Sequence, residues 1–222
     1  TQSRSSAASD VYKRQPQKDV IGYGVSESIV NANTGIEAID FQINELYRTG
    51  YMHNHLRMYV AALSTNVAKN HWKVPAKWMY YHLLDGDWAS NALSWQWVAG
   101  ANSNKNYIAN QENINKYTRT NQKGSFLDVD YQKLSLISQP EELRELSKFD
   151  FEITYPKFET FNINDGQSVC IYNYYNLDPT WRKESKYHRV LLIEPSVFSK
   201  YPIGEKAMNF MLSLARNIDG IK

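Results

Sequence analysis

Apolar positions return at helical spacing from Ile36 onward. Ile36, Ile39, Ile43 and Leu46 fall every three or four residues, on one stripe of a helix. Ahead of them, Thr34-Gly-Ile-Glu37 reads as a capping box, hydroxyl and carboxylate each satisfying orphan amides at a helix start, and Gly50 supplies the stop. A second helix is expected over about residues 52–63, with Leu56, Tyr59, Val60 and Leu63 toward the core. Pro75 suits the first turn of a third helix carrying Trp78, Tyr81 and Leu84 and ending at Asp85-Gly86. A fourth helix is expected over about 88–99. The connections are short, so a compact helical array is expected.

The flanks are patterned differently. Residues 1–15 are rich in Ser, Ala and Gln without periodicity, and residues 16–33 are weakly patterned; together, 1–33 read as a disordered or irregular lead. The Asn-rich stretch 101–125 reads as an ordered loop with a short helix, since Tyr107, Ile108, Ile114 and Tyr117 give it apolar groups to bury. Gln139-Pro140 opens another short helical piece. Strands are expected at 168–174 and 189–193, and an amphipathic helix at 203–218 with Ala207, Phe210, Met211 and Leu214 on its core face. The expected organisation is a helical domain over 34–135 and a small α/β extension over 136–222, whose strand–helix unit breaks off where a partner strand is due. No internal repeat is present.

With 42% hydrophobic and 14% aromatic residues among 222, the chain can bury a real core. Its net charge of +2 gives no broad field for a polyanion, so any DNA contact must come from a local patch. A single cysteine, Cys170, excludes an internal disulfide framework, fits a reducing compartment, and reads as a small core residue. No apolar run approaches the roughly 20 residues that span a bilayer, and the opening segment lacks the apolar middle of a signal peptide. A soluble, monomeric, cytoplasmic protein is expected.

Two polar stripes interrupt the apolar array. Asn54, Arg57 and Met58 stand at i, i+3 and i+4, and Asp87, Asn91 and Trp95 at i, i+4 and i+8, so each set shares a helix face. A buried Arg57 needs an anion, which Asp85 or Asp87 could supply. On spacing alone, a buried ion pair with helix caps and a ligand site remain equal readings. His53 and His55, at i and i+2, point to different sides of a helix, and no zinc or nuclease site is read there.

The residues between these positions change that balance. TGYMHNHLRM, then Asn70-His71-Trp72, then LLDGDWASNALSWQW, in this order and spacing, resemble the DNA photolyase/cryptochrome family over about residues 34–120. The most specific part is the DGD-x-x-x-N-x-x-x-W-x-W arrangement from Asp85 to Trp97. The resemblance implies a partial, mainly helical FAD-binding domain and FAD as cofactor. It implies cofactor-binding roles for Asn54, Arg57, Asp85, Gly86, Asp87 and Asn91, with Asn91 facing flavin N5. An amide there can hydrogen-bond N5 but cannot readily protonate it, which leans toward repair.

The resemblance further implies that Trp95 and Trp72 pass electrons to the excited flavin. Asn54, His55, Met58 and Trp97 would face DNA carrying pyrimidine dimers. Trp97 lies about 200° around the helix from Trp95, so the two cannot share a target. The implied activity is that of a photolyase-type lyase using blue light to split dimers, with a cryptochrome-like photosensor as the rival reading. A bare helical scaffold, in which the stripe residues only pair with one another, is the third. Departures are specific: His55 stands where many relatives have arginine, and the third Trp of the relay has no counterpart, with Tyr23 the nearest aromatic. The upstream half of the family's FAD domain has no counterpart either, so a fragment that retains FAD weakly on its own is expected. The basic run 181–186 and His71 and His82 read as surface or structural.

Overall fold

Ile36, Ile39, Ile43 and Leu46 are fully buried, as their spacing requires. The computed structural model describes residues 17–102, 106–158, 160–164 and 166–222, and residues 1–15, read as a disordered lead, lie outside these. A first unit ends at Asp150 and holds seven helices among its described residues. These are α1 (Glu27–Val30), α2 (Glu37–Thr49), α3 (Asn54–Ala62), α4 (Lys73–His82), α5 (Trp88–Val98), α6 (Gln111–Thr118) and α7 (Tyr131–Leu134). Helix α5 packs on both α3 and α4, and α2 on α3 and α6. Their shared core holds Trp78, Trp95, Tyr59 and Tyr80.

The start of α2 corrects the expected capping box. Ile36, not Thr34, is the N-cap, and Glu37 makes no cap bond. The Thr34 hydroxyl accepts from the Ile36 N–H at 3.2 Å and donates to Asp40 Oδ1 at 2.7 Å. The Asp40 carboxylate also accepts from the N–H groups of Thr34 and Gly35. Gly35, at φ 78°, folds the entering chain back toward Asp40, one turn beyond the carboxylate that the motif suggested. At the other end Gly50, at φ 74°, donates to Leu46 O and stops the helix.

Helix α3 widens after Ala62 into a π turn, Leu63–Val67, closed by the Ala68 N–H on Leu63 O. Such a turn re-aims the side chains at and beyond it. Here Asn66 donates to both Val98 O and Tyr107 O, at 2.8 and 2.7 Å, and so latches the Asn-rich loop to the end of α5. Residues 17–33, read as loop, contain α1 and bury Val25 and Ile29. They are held by residues 139–147: Ser26 donates to Leu143 O, Glu27 to Glu145 O, and Ser147 to Val25 O. The helical piece expected after Pro140 is only a 3-10 turn, Glu141–Leu143.

The second unit runs from Phe151 to Lys222. Strands β1 (Val169–Tyr172) and β2 (His188–Leu191) pair in parallel, Val169 opposite His188. Ile221 pairs with Arg189, and Lys222 exchanges backbone bonds with Leu191 and Arg189. Cys170, Tyr172 and Ile218 form a small core there. Helices α8 (Pro195–Lys200) and α9 (Glu205–Ala215) complete the unit. On α9 the buried stripe is Ala207, Met208, Met211 and Ala215, while Phe210 and Leu214 stay exposed. The stripe is rotated from the expected one because Met208 and Ala215 occupy the i+1 and i+8 positions from Ala207. The fold is thus mainly α, with a small α/β extension, as expected. Among the described residues no helix is long and apolar enough to cross a membrane.

Candidate functional site

Two polar stripes face each other across a cavity of about 250 Å³. Helix α3 supplies one wall because Leu56, Tyr59 and Val60 take its apolar side into the core. Asn54, Arg57 and Met58 are left on the other side and line the cavity. The turn Asp85-Gly86-Asp87 and helix α5 supply the opposite wall, through those three residues together with Ser90, Asn91 and Trp95. Ala61, Leu83 and Val98 close the apolar end.

Arg57 is fixed by several contacts. Its Nη2 donates to Asp85 Oδ1 and Oδ2 at 2.9 and 2.8 Å, and its Nε donates to Met52 O at 2.7 Å. The guanidinium also sits over the Tyr51 ring, 5.8 Å from its centroid. Nη1 makes no hydrogen bond among the described residues, which leaves a planar, permanently charged donor edge.

The acidic turn is anchored at both ends. Leu84 donates to Gly50 O at 2.9 Å, tying the turn to the end of α2. Gly86 is buried against Tyr80, whose ring carbon lies 3.1 Å from where a Cβ would stand. Asp87 caps α5, its Oδ1 accepting from the Ser90 N–H at 2.8 Å. One turn on, Asn91 donates through Nδ2 to Ala76 O at 2.8 Å, which fixes α5 against α4. The Asn91 amide oxygen has no partner among the described residues. A slot with apolar faces, a guanidinium and carboxylates at its rim and a carboxamide oxygen in its wall fits a flat ring with polar edges.

Eight residues singled out from sequence thus meet at one cavity: Asn54, Arg57, Met58, Asp85, Gly86, Asp87, Asn91 and Trp95. Trp72, His55 and Trp97 do not line it. Trp72 is buried at the N-cap of α4. His55 is exposed and stacked on Tyr117, with ring centroids 4.9 Å apart. Trp97 is 48% exposed and pairs with Tyr107, whereas Trp95 is 1% exposed, as their separation around the helix requires. Tyr107 also stacks on Tyr59, whose hydroxyl donates to Asn113 Oδ1. Burial, and then the neighbouring phenols, push the Tyr59 hydroxyl well above the ordinary tyrosine range. Sequence reasoning missed Ser90, Ser94 and Val98, although the stripe from Asp87 extends to them at i+3, i+7 and i+11. It also missed Asn66, whose two acceptors lie 32 and 41 residues away.

Comparison with known proteins places this geometry. The chain is 41% identical over 68 residues to the deoxyribodipyrimidine photo-lyase of Agrobacterium fabrum, covering 31% of this chain and 14% of that protein. It is 39% identical over 66 residues to the enzyme of the same name from Vibrio cholerae, covering 30% and 14% respectively. Cryptochrome-1 of Arabidopsis thaliana is 34% identical over 67 residues, 30% of this chain and 10% of that protein. The match therefore spans about a seventh or less of the length of these relatives. No solved structure matches the chain. The family model described as the FAD binding domain of DNA photolyase matches residues 6–164, which include every residue lining the cavity, and the chain belongs to that family, with FAD as its cofactor.

Proposed function

We propose that the cavity between α3 and α5 holds the flavin ring of FAD and that the protein uses blue light to split pyrimidine dimers in DNA. The observation that carries the reading is the convergence of the Arg57–Asp85 pair, the Asn91 amide oxygen and the buried Trp95 on one cavity. Bound FAD supplies light absorption and the electron that the lesion needs. The protein's part is to hold and tune it. Arg57 offers positive charge to an anionic ring at any relevant pH. Asn91, its nitrogen engaged by Ala76 O, offers an acceptor oxygen to a ring N–H and no proton. Apolar side chains at the closed end exclude water, which strengthens these interactions.

Trp95 and Trp72 serve as electron donors in series. Asn54 and Met58, at the cavity wall, and Trp97, exposed beside Tyr107, serve as contacts for an extruded dimer, since an exposed indole stacks well on bases. His55, already stacked on Tyr117, takes a lesser part at the DNA backbone. A photosensor without repair activity is the second reading, favoured by the 34% identity to Cryptochrome-1. The test is blue-light treatment of dimer-containing oligonucleotides with the FAD-loaded, full-length protein. Restored monomeric thymines, and their loss in Trp97→Ala, support repair. Bound flavin without repaired product supports the sensor, and a protein that binds no flavin overturns both.

A further inference from the structure

An exposed tyrosine is joined to buried Trp72 by a ladder of stacked rings. Tyr23 is 73% exposed and Trp72 only 5%. His71 stands between them: its centroid is 5.6 Å from that of Tyr23, with planes 19° apart, and 5.7 Å from that of Trp72, with planes 30° apart. We propose that Tyr23 is the solvent-facing end of the electron relay, donating through the His71 ring to Trp72. The inference rests on the relay assigned above to Trp95 and Trp72, and extends it to a residue in the segment before α2.

The fold holds this ladder in place. Ile21 and Gly22 donate to Lys69 O, His71 donates back to Gly22 O at 2.7 Å, and Gly22 pairs in parallel with Asn70. The approach depends on Gly22, since a Cβ there would lie 2.2 Å from Asn70 Oδ1. Gln17 adds a brace, accepting from the Trp72 N–H at 2.9 Å and donating to Asn70 O at 3.0 Å. The His71 ring is oriented by the Lys73 N–H, which donates to its Nδ1. Burial, then the charge of Lys73, holds His71 below the ordinary histidine range, so the bridging ring is neutral at pH 7. An imidazole is harder to oxidise than either neighbour. It therefore couples the two rings without holding the radical itself.

Electrons and protons balance at each stage. Trp72, once it has given an electron to oxidised Trp95, is an indole radical cation. It takes one electron from Tyr23 and returns to neutral indole. Tyr23 loses that electron and its phenolic proton, which passes to water at its exposed hydroxyl, and becomes a neutral tyrosyl radical. A soluble thiol then returns a hydrogen atom to Tyr23 and is itself oxidised to a thiyl radical. The purpose of the last site is separation: a hole at the surface recombines slowly and meets external reductant.

Two measurements test this. In the flavin-loaded, full-length protein, flash photolysis should give a tyrosyl radical that is lost in Tyr23→Phe, leaving a shorter-lived tryptophan radical. Tyr23→Trp should restore the long lifetime with an indole spectrum, and His71→Ala should slow the transfer with both end rings present. In the flavin-free protein, azide radicals from pulse radiolysis oxidise tryptophans directly, and conversion of indole to tyrosyl radical is tracked by absorbance. Tyr23→Phe and Trp72→Phe should remove the same fraction of tyrosyl signal, and the double variant no more. Tyr23 is exposed, so its variants keep the fold. An unchanged tyrosyl yield in Tyr23→Phe overturns the proposal in either measurement. Failure to bind flavin sinks the FAD reading but leaves the radiolysis result to decide the ladder.

Discussion

The guanidinium of Arg57 spans 28 residues of sequence to hold both carboxylate oxygens of Asp85, at 2.9 and 2.8 Å. The Asp85 side chain is half exposed, so the pair contributes only about 0.2–1 kcal/mol to stability. Its value lies in presenting a fixed, charged edge to the cavity. Arg57→Ala is therefore expected to lower Tm by no more than about 4 °C. FAD affinity should fall by about tenfold or more, since a hydrogen bond to a charged group is worth about 1.5–3 kcal/mol. Thermal melts and flavin-fluorescence titration separate the two effects. A large loss of stability with unchanged affinity would make Arg57 a purely structural residue.

Asn91 works in two directions at once, and a single-atom exchange isolates one of them. In Asn91→Asp, a carboxylate oxygen replaces the Nδ2 that donates to Ala76 O, so two acceptors face each other. At pH 7 the substitution is expected to cost about 1–3 kcal/mol. The repulsion and partial burial would raise the new carboxyl's folded pKa above its unfolded value. The folded state then binds more protons, so the lost stability should return as pH falls through that raised pKa. Urea unfolding of both proteins across the acidic range measures this, and a constant difference at every pH would refute the geometry.

The core of this site was legible in the sequence because it is built from helix faces. Asn54, Arg57 and Met58, and likewise Asp87, Asn91 and Trp95, share faces by periodicity alone, and α3 and α5 bring both sets to one cavity. Trp97 was legible as a surface ring for the same reason. What periodicity could not give was whatever depends on distant partners. The Thr34 cap goes to Asp40 rather than Glu37, because a glycine at positive φ redirects the chain. Residues 17–33 look unpatterned because their order comes from residues 69–71 and 143–147, not from their own spacing. On α9, two stripes of apolar residues compete, and only packing selects Met208 over Phe210.

The Asn66 latch makes a prediction about mobility. Its Nδ2 carries both hydrogen bonds that hold Val98 O and Tyr107 O together, so Asn66→Ala leaves two carbonyls to find water. A cost of about 1–3 kcal/mol is expected. The effect should be local. Amide exchange should quicken around Tyr107, while Ile39 and Ile43 in α2 keep their protection. Because Trp97 rests against Tyr107, its fluorescence should shift toward that of a more solvated indole. Uniformly faster exchange across the first unit would mean that Asn66 supports the whole fold and not the loop.

Tyr47 sets a limit to stability at high pH. Its hydroxyl donates to Val30 O at 2.6 Å and accepts from the Trp78 indole N–H at 3.2 Å, with Trp78 and His82 edge-on to its ring. Burial pushes its pKa from 10.0 up to about 12, against a smaller lowering from the Trp78 hydrogen bond. Because the folded state keeps the proton longer, it binds more protons than the unfolded chain between pH 10 and 12. Stability is thus independent of this group below its unfolded pKa and falls as pH rises through the folded one. The loss from Tyr47 alone amounts to roughly 3 kcal/mol at most. Tyr59 and Tyr107, also raised by burial, add to the decline in the alkaline range. Tyr47→Phe is expected to start about 1 kcal/mol lower at neutral pH, having lost the bond to Val30 O. It should then lose less with rising pH, so that the two stability curves converge and cross above pH 10. Denaturant midpoints measured at several alkaline pH values check this, and parallel curves would show that Tyr47 ionises as freely in the folded protein as in the unfolded chain.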